Sequence, residues 1–297
     1  MSVADSDGLT FRQDYFSDPA AWSALVSLLD DTFGIDIDPL RELGGPDPTS
    51  MPFGWFTDEG LLAANLSAFA MPFVFNGRLV KAAAFQSGAV RPPWRGRGLY
   101  RDVTGKALAW CEARGFEAII LYTDKPALYE PYGFCSLPLH KYVGAAPISE
   151  GAAASRPLQP RDADDLALLQ GLLRNREPVS ETLAVASSAA MFLINTQLDP
   201  DVRLSYLEES EAVIAWKMPT PGHVVLLDVV AREIPSLAAI LAGLGIQATS
   251  VETLFRPDRL GWSGEATPYG GGTRLMLRGL EEMSLDHPAM LSPMADF

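Results

Sequence analysis

The stretch "VRPPWRGRGLY", Val90–Tyr100, decides how the chain is read. It places Arg91, Arg95 and Arg97 with Gly96 and Gly98 directly ahead of an amphipathic pattern. Leu99, Val103, Ala107, Trp110 and Cys111 recur at helical spacing over roughly Gly98–Arg114, and Gly115 is a stop signal. Before it, "GAV" (Gly88–Val90) reads as the end of a strand whose pairing Pro92 and Pro93 terminate. A helix N-terminus leaves backbone N–H groups without partners and carries partial positive charge. Glycines let an anion approach that backbone, and arginines add charge-assisted hydrogen bonds. The pattern therefore predicts a strand–loop–helix cradle for a pyrophosphate. The competing reading is a surface loop whose arginines pair with nearby carboxylates. Two familiar phosphate loops do not fit. No G-x-x-x-x-G-K-[ST] occurs, and Arg101 stands where a dinucleotide fingerprint needs its third small residue.

The surroundings make the arginine cluster unusual. The 297 residues carry a formal charge of −14. Hydrophobic residues make up 48% and charged residues 20%, a composition that predicts a globular chain long enough for two domains. Up to residue 150 there are 12 Lys/Arg against 18 Asp/Glu, and beyond it 11 against 19, so neither half is a basic arm for nucleic acid. Acidity favours cationic partners. No apolar run is long enough to span a membrane, and "MSVADSDGLT" does not resemble a leader, so a cytoplasmic location is expected. Two cysteines, Cys111 and Cys135, and three dispersed histidines offer neither a disulfide framework nor a metal site.

Working outward, "LTFRQDYF" (Leu9–Phe16) reads as a strand. A helix follows, capped by Asp18, with Trp22, Leu25, Leu28 and Leu29 on one face. Asn76-Gly77 marks a hairpin between two apolar runs, and "FEAIILYT" (Phe116–Thr123) reads as a buried strand. "DKPALYEPYGF" predicts a turn and a short helix. Small residues with Pro and Gly mark a linker over 146–158. Then "RPLQPRDADDLALLQGLL" echoes the opening strand–cap–helix pattern, and further strands and a helix follow. The second half reads as a diverged repeat of the first, giving expected domains of 1–145 and 159–297.

Arg95-Gly96-Arg97-Gly98-Leu99-Tyr100, followed by "LYEPYGF" (Leu128–Phe134), resembles the acetyl-CoA signature of the GNAT N-acetyltransferases, R/Q-x-x-G-x-G/A and then a tyrosine motif. Tyr100 departs from the small residue at the sixth position. A large residue there is similar to the branch of enhanced-intracellular-survival aminoglycoside acetyltransferases. The resemblance implies an α/β (α+β) chain of tandem GNAT folds, each a mixed, mostly antiparallel sheet flanked by helices. The second domain, with "LLDVVAREIPSLAAI" in the equivalent place, would lack the cofactor loop. The branch usually carries a third, sterol-carrier-like domain, for which 297 residues are too few.

What the resemblance implies for chemistry is specific. Acetyl-CoA would be the co-substrate, lined by Ala89, Val90, Arg91, Arg95, Gly96, Arg97, Gly98, Leu99 and Tyr100. Tyr129 would protonate the leaving thiolate, with Tyr132 more suited to packing. The acceptor would be a primary amine of a cationic small molecule or a lysine, and a homo-oligomer is in keeping with the branch. No metal is called for. The base is open: the α-carboxylate of Phe297, Asp36 and Asp58 are candidates, with Asp38, Glu59 and Asp124 by position only. Cys135 reads as a small packing residue rather than a nucleophile. Two other readings stand beside acetyl transfer: a degenerate CoA-binding or protein-interaction module, and a transferase with a different acyl donor.

Overall fold

The computed structural model describes residues 8–149 and 155–297; of the expected linker, 150–154 lie outside the described residues. In the first half, strand β1 (Leu9–Gln13) leads into helix α1 (Pro19–Phe33). The Asp18 side chain caps α1, accepting from the Ala20 and Ala21 amides, and Gly34 closes it in the left-handed conformation. β2 (Met51–Thr57) and β3 (Leu62–Ala70) follow. β4 (Phe73–Phe75) and β5 (Arg78–Val80) form the hairpin foreseen at Asn76-Gly77, where both residues have positive φ. Then come β6 (Ala82–Val90), α2 (Leu99–Ala113), β7 (Ala118–Thr123), the two-residue β8 (Cys135–Ser136) and β9 (His140–Ala145).

The second half contains β10 (Ser155–Pro157), α3 (Ala163–Arg174), β11 (Leu183–Val185), α4 (Ala189–Leu198), β12 (Arg203–Leu207), β13 (Ala212–Thr220) and β14 (His223–Val230). α5 (Leu237–Leu244), β15 (Ser250–Thr253), β16 (Glu265–Pro268) and β17 (Arg274–Arg278) complete it. The sequence pattern did not reveal α4. Met191, Phe192, Leu193 and Ile194 are all buried, so α4 is apolar on most sides and shows no helical stripe.

Two seven-stranded sheets result, in the orders β1-β2-β3-β6-β7-β17-β8 and β10-β12-β13-β14-β15-β9-β16. They repeat one another strand for strand. In each, the fourth and fifth strands (β6 with β7, β14 with β15) are parallel and all other pairs are antiparallel. The expected repeat is thus present, but its expected boundaries are not those of the sheets. The sixth strand of each sheet comes from the other half of the chain. β17 enters the first sheet between β7 and β8, and β9 enters the second between β15 and β16. A cut at 145 and 159 runs through this exchange. Strand pairing depends on the pleat and the apolar faces, and neither names the sheet that a strand will join. The hairpin β4–β5 also pairs with β11, joining the halves a third time.

Side-chain alternation sorts the first sheet into two faces. Phe85, Ile119 and Leu121 face α2, together with Tyr129 and Phe134. Ala84, Ile120, Leu275 and Leu277 face a second core that includes Trp22 of α1, Met191 and Ile194 of α4, and Met290 and Met294 of the C-terminal segment. Helices from both halves therefore cover one face, while α2 covers the other.

Candidate active site

The site begins where two parallel strands part. β6 and β7 pair only from Ala82↔Ala118 to Phe85↔Leu121. Beyond Phe85 the register of β6 against β3 shifts, with Asn65 opposite Ala89 but Ser67 opposite Gln86. The extra residues make a β-bulge at Ser87, which takes φ of 58° although it is not glycine. Asn65, fully buried, holds the bulge: its Nδ2 donates to the Ser87 carbonyl at 2.8 Å and its Oδ1 accepts from Tyr15. The strands splay past this point. The gap is a cavity of about 1020 Å³, reaching from the N-terminus of α2 to α1, α4 and the C-terminal residues.

On the α2 side the loop is shaped as its sequence suggested. Pro92–Trp94 form one turn of 3-10 helix, Gly96 has φ of 78°, and Gly98 has φ of 80° as the N-cap of α2. No side chain caps α2, whereas Asp162 caps α3 and Ser236 caps α5. The first-turn amides of α2 are left for an outside acceptor. Arg95, Gly96, Gly98, Leu99 and Tyr100 line the cavity, as do Ala89 and Val90. Trp94 and Arg101 line it too, and were not foreseen.

The other arginines differ from expectation. Arg91 does not reach the cavity. Its Nε donates to the Leu62 carbonyl at 3.0 Å, its Nη2 to Ser27 Oγ at 3.0 Å, and its Nη1 pairs with Asp31 of α1. With 11% of its side chain exposed, it fastens α1 to the sheet. The competing reading of paired arginines is therefore right for Arg91 alone. Arg97 is exposed beside the cavity rather than lining it. Among the described residues Arg95, Arg97 and Arg101 form no ion pair, and Arg95 donates to the Val90 carbonyl at 3.0 Å.

Tyr129 is buried between two single turns of 3-10 helix in the β7–β8 connection, packed on Phe134 at 5.8 Å between ring centroids. Its hydroxyl hydrogen-bonds to that of Tyr100. Burial pushes the Tyr129 phenol up, opposed by the hydrogen bond with Tyr100. Tyr100 is raised well above the ordinary tyrosine value, chiefly by burial. Tyr132 lines the same cavity.

Of the carboxylates considered as bases, only one group is at the cavity as well as Asp124. Phe297 lines it, its ring edge-on to Phe69 and Tyr122 at 5.9 and 5.5 Å. Asp36 and Asp38 border a separate shallow depression by α1. Asp58 and Glu59 lie in the exposed turn between β2 and β3. Cys135 is exposed on β8 rather than packed, and outside the cavity lining. Asp296, which the sequence reading passed over, lines the cavity next to Phe297. Its only signal was adjacency to the last residue.

The second sheet repeats the splay without the cradle. β14 bulges between Asp228 and Leu226, but the chain then runs through "AREIPS" to α5, whose Ser236 Oγ takes the Ala239 amide at 3.2 Å. Among the described residues no group of three or more His, Cys, Asp or Glu could hold a metal ion, and no helix is long and apolar enough to cross a membrane.

Comparison with known proteins agrees with this geometry. A family model described as "Acetyltransferase (GNAT) domain" matches residues 20–136. Among solved structures, a GCN5-related N-acetyltransferase from Kribbella flavida aligns with TM-score 0.58 at 17% identity, covering 94% of this chain and 73% of that one. Eis1 from Mycobacterium abscessus aligns with TM-score 0.59 at 17% identity, covering 91% and 73%. A GCN5-related N-acetyltransferase from Anabaena variabilis aligns with TM-score 0.58 at 15% identity, again covering 91% and 73%. At these identities the likeness is one of fold. Comparison with curated proteins finds no match to the chain.

Proposed function

From the match of residues 20–136 to the GNAT acetyltransferase domain model, we propose that the protein transfers the acetyl group of acetyl-CoA directly to a primary amine. The observation that carries the proposal is the meeting of two features in one cavity. They are the uncapped N-terminus of α2, with Gly96 and Gly98 in left-handed backbone, and the hydroxyl of Tyr129.

The residues fit the group. The first-turn amides of α2 and the unpaired Arg95 and Arg101 would hold the pyrophosphate, with Arg97 adding charge from the edge. The splayed ends of β6 and β7 would take the pantetheine arm, with its amides against backbone that no neighbouring strand occupies. Acetyl-CoA supplies the thioester. The acceptor nitrogen attacks its carbonyl carbon, the C–S bond breaks, and the Tyr129 hydroxyl gives a proton to the departing sulfur. With its pKa held up by burial, Tyr129 stays protonated throughout the neutral range. The proton lost by the amine leaves through the solvent-open cavity; of the three residues first considered for it, Phe297 lines the cavity, and Asp36 and Asp58 do not.

A calorimetric titration with acetyl-CoA tests the reading. Micromolar binding is expected, on the order of −8 kcal/mol, and Gly98→Asp is expected to abolish it by placing a carboxylate in the cradle. A folded, monodisperse sample that binds no acetyl-CoA overturns the proposal and turns attention to protein partners.

A further inference from the structure

The cavity has two chemically different ends. Its lining cations are Arg95, Arg101 and Lys125, on the loop before α2, the first turn of α2 and the β7–β8 connection. The opposite end, built by α1, α4 and the C-terminal residues, has no lysine or arginine in its lining and two side-chain carboxylates, Asp47 and Asp296. Asp47 is engaged by the Thr49 amide at 2.8 Å and by the Thr49 hydroxyl. The Asp296 carboxylate accepts only from the adjacent Phe297 amide, and among the described residues no cation pairs with it. It is open to the cavity yet surrounded by protein, and this desolvation raises its pKa above the ordinary aspartate value.

The walls at that end are apolar. α1 contributes Trp22, Leu25, Leu29 and Phe33, and α4 contributes Met191, Ile194 and Leu198. The rim is apolar as well. Among the described residues seven large hydrophobics are exposed, and four of them, Phe33, Ile35, Leu128 and Leu198, border this one cavity. Such clustering marks a surface meant to be covered. A polycation would leave these walls wetted and find one free side-chain carboxylate; a neutral hydrophobe would leave that carboxylate unpaired.

Resting on the acetyl-transfer reading, we infer that the acceptor is a monoamine with an apolar aryl or alkyl body, whose ammonium is bound by the Asp296 carboxylate and gives that carboxylate a proton before the neutral nitrogen attacks. The body lies between α1 and α4, and the amine points into the gap between β6 and β7. The C-terminal segment is sutured in place for this. Asn195 Nδ2 of α4 donates to the Asp296 carbonyl at 2.7 Å, and Ser292 Oγ donates to buried Asp228 at 3.0 Å. Acceptor preference is thus set by a residue from the far end of the chain and a helix from the second half.

The test is release of CoA thiol from acetyl-CoA with 2-phenylethylamine, hexylamine and spermidine. The two apolar amines are expected to exceed spermidine in kcat/KM by roughly tenfold or more. Asp296→Asn should raise their KM by about tenfold or more, with the KM for acetyl-CoA unchanged. Leu198→Asp, at an exposed position where folding is preserved, should raise the same KM. Preference for spermidine, or an unchanged amine KM in both variants, overturns the inference and leaves acetyl transfer standing. If no amine releases CoA, acetyl transfer itself fails. Calorimetry with 2-phenylethylamine alone then decides the inference: binding lost in Asp296→Asn supports it, and absence of binding overturns it.

Discussion

The hydroxyls of Tyr100 and Tyr129, two residues that line the cavity, hydrogen-bond to one another. Tyr100 is the residue at which the Arg/Gly loop departs from the usual small side chain. Its departure is accommodated at Gly88, where a Cβ would collide with the Tyr100 hydroxyl. Bulge, loop and proposed acid therefore form one packed unit.

Tyr129→Phe removes the proposed proton donor without disturbing the cradle. It should cut turnover by about 10²-fold or more and leave acetyl-CoA affinity unchanged by calorimetry. Normal turnover assigns the acid elsewhere. In the wild type, kcat should not fall with rising pH until beyond about pH 10, because Tyr129 is raised above the ordinary tyrosine value.

Tyr100→Phe removes the bond that lowers the Tyr129 pKa, so the acid becomes weaker and kcat should fall a few-fold. Gly88→Ala should be more damaging, because it displaces the Tyr100 ring. Gly88 has no positive φ, so the cost is steric, and combining the two substitutions relieves it. Non-additive kcat values in a double-mutant cycle check this; strict additivity would separate the two residues.

Arg91→Ala is expected to lower stability rather than cofactor affinity. It strands the Leu62 carbonyl and the Ser27 hydroxyl, a loss of about 1–3 kcal/mol. Asp31 is held below the ordinary carboxylate range, chiefly by its hydrogen bond from Arg91. That contribution is present above about pH 4 and is lost as pH falls through the lowered value. Thermal melts of wild type and variant should differ at neutral pH and converge partly in acid.

Arg176 and Asp228 form a two-pronged ion pair with contacts at 2.5 and 3.1 Å, their side chains 5% and 2% exposed. Asp228→Ala leaves a buried guanidinium without its partner and should cost about 3–5 kcal/mol by denaturant titration. It also frees Ser292, so the C-terminal segment should become accessible to protease near that residue.

The strand exchange makes the halves interdependent. A fragment of residues 1–149 lacks β17, so β7 and β8 lose the strand between them and the apolar core behind Ile120 opens. It should aggregate alone and become soluble when co-expressed with residues 155–297. A monodisperse, cooperatively melting 1–149 fragment would contradict this.

Local rules carried much of this protein. Asp18, Asn76-Gly77, Gly98 and Gly115 each dictate a cap or turn from a few neighbouring atoms, and their elements stand where the sequence put them. The turn ahead of α2 was legible for the same reason, Gly96 and Gly98 fixing consecutive backbone groups, whereas Tyr129 was named only through the resemblance. What tertiary structure decided is what depends on partners distant in sequence. Arg91 has the same composition signal as Arg95, and only the position of α1 makes it a structural clamp. Swapped β17 reads as an ordinary strand, since alternation names a face and not a sheet, and β9 was not read as a strand at all. Asp296 and α4 carry no motif at all. They reach the cavity only because the second half of the chain packs over β6 and β7, where burial rather than spacing raises the Asp296 pKa.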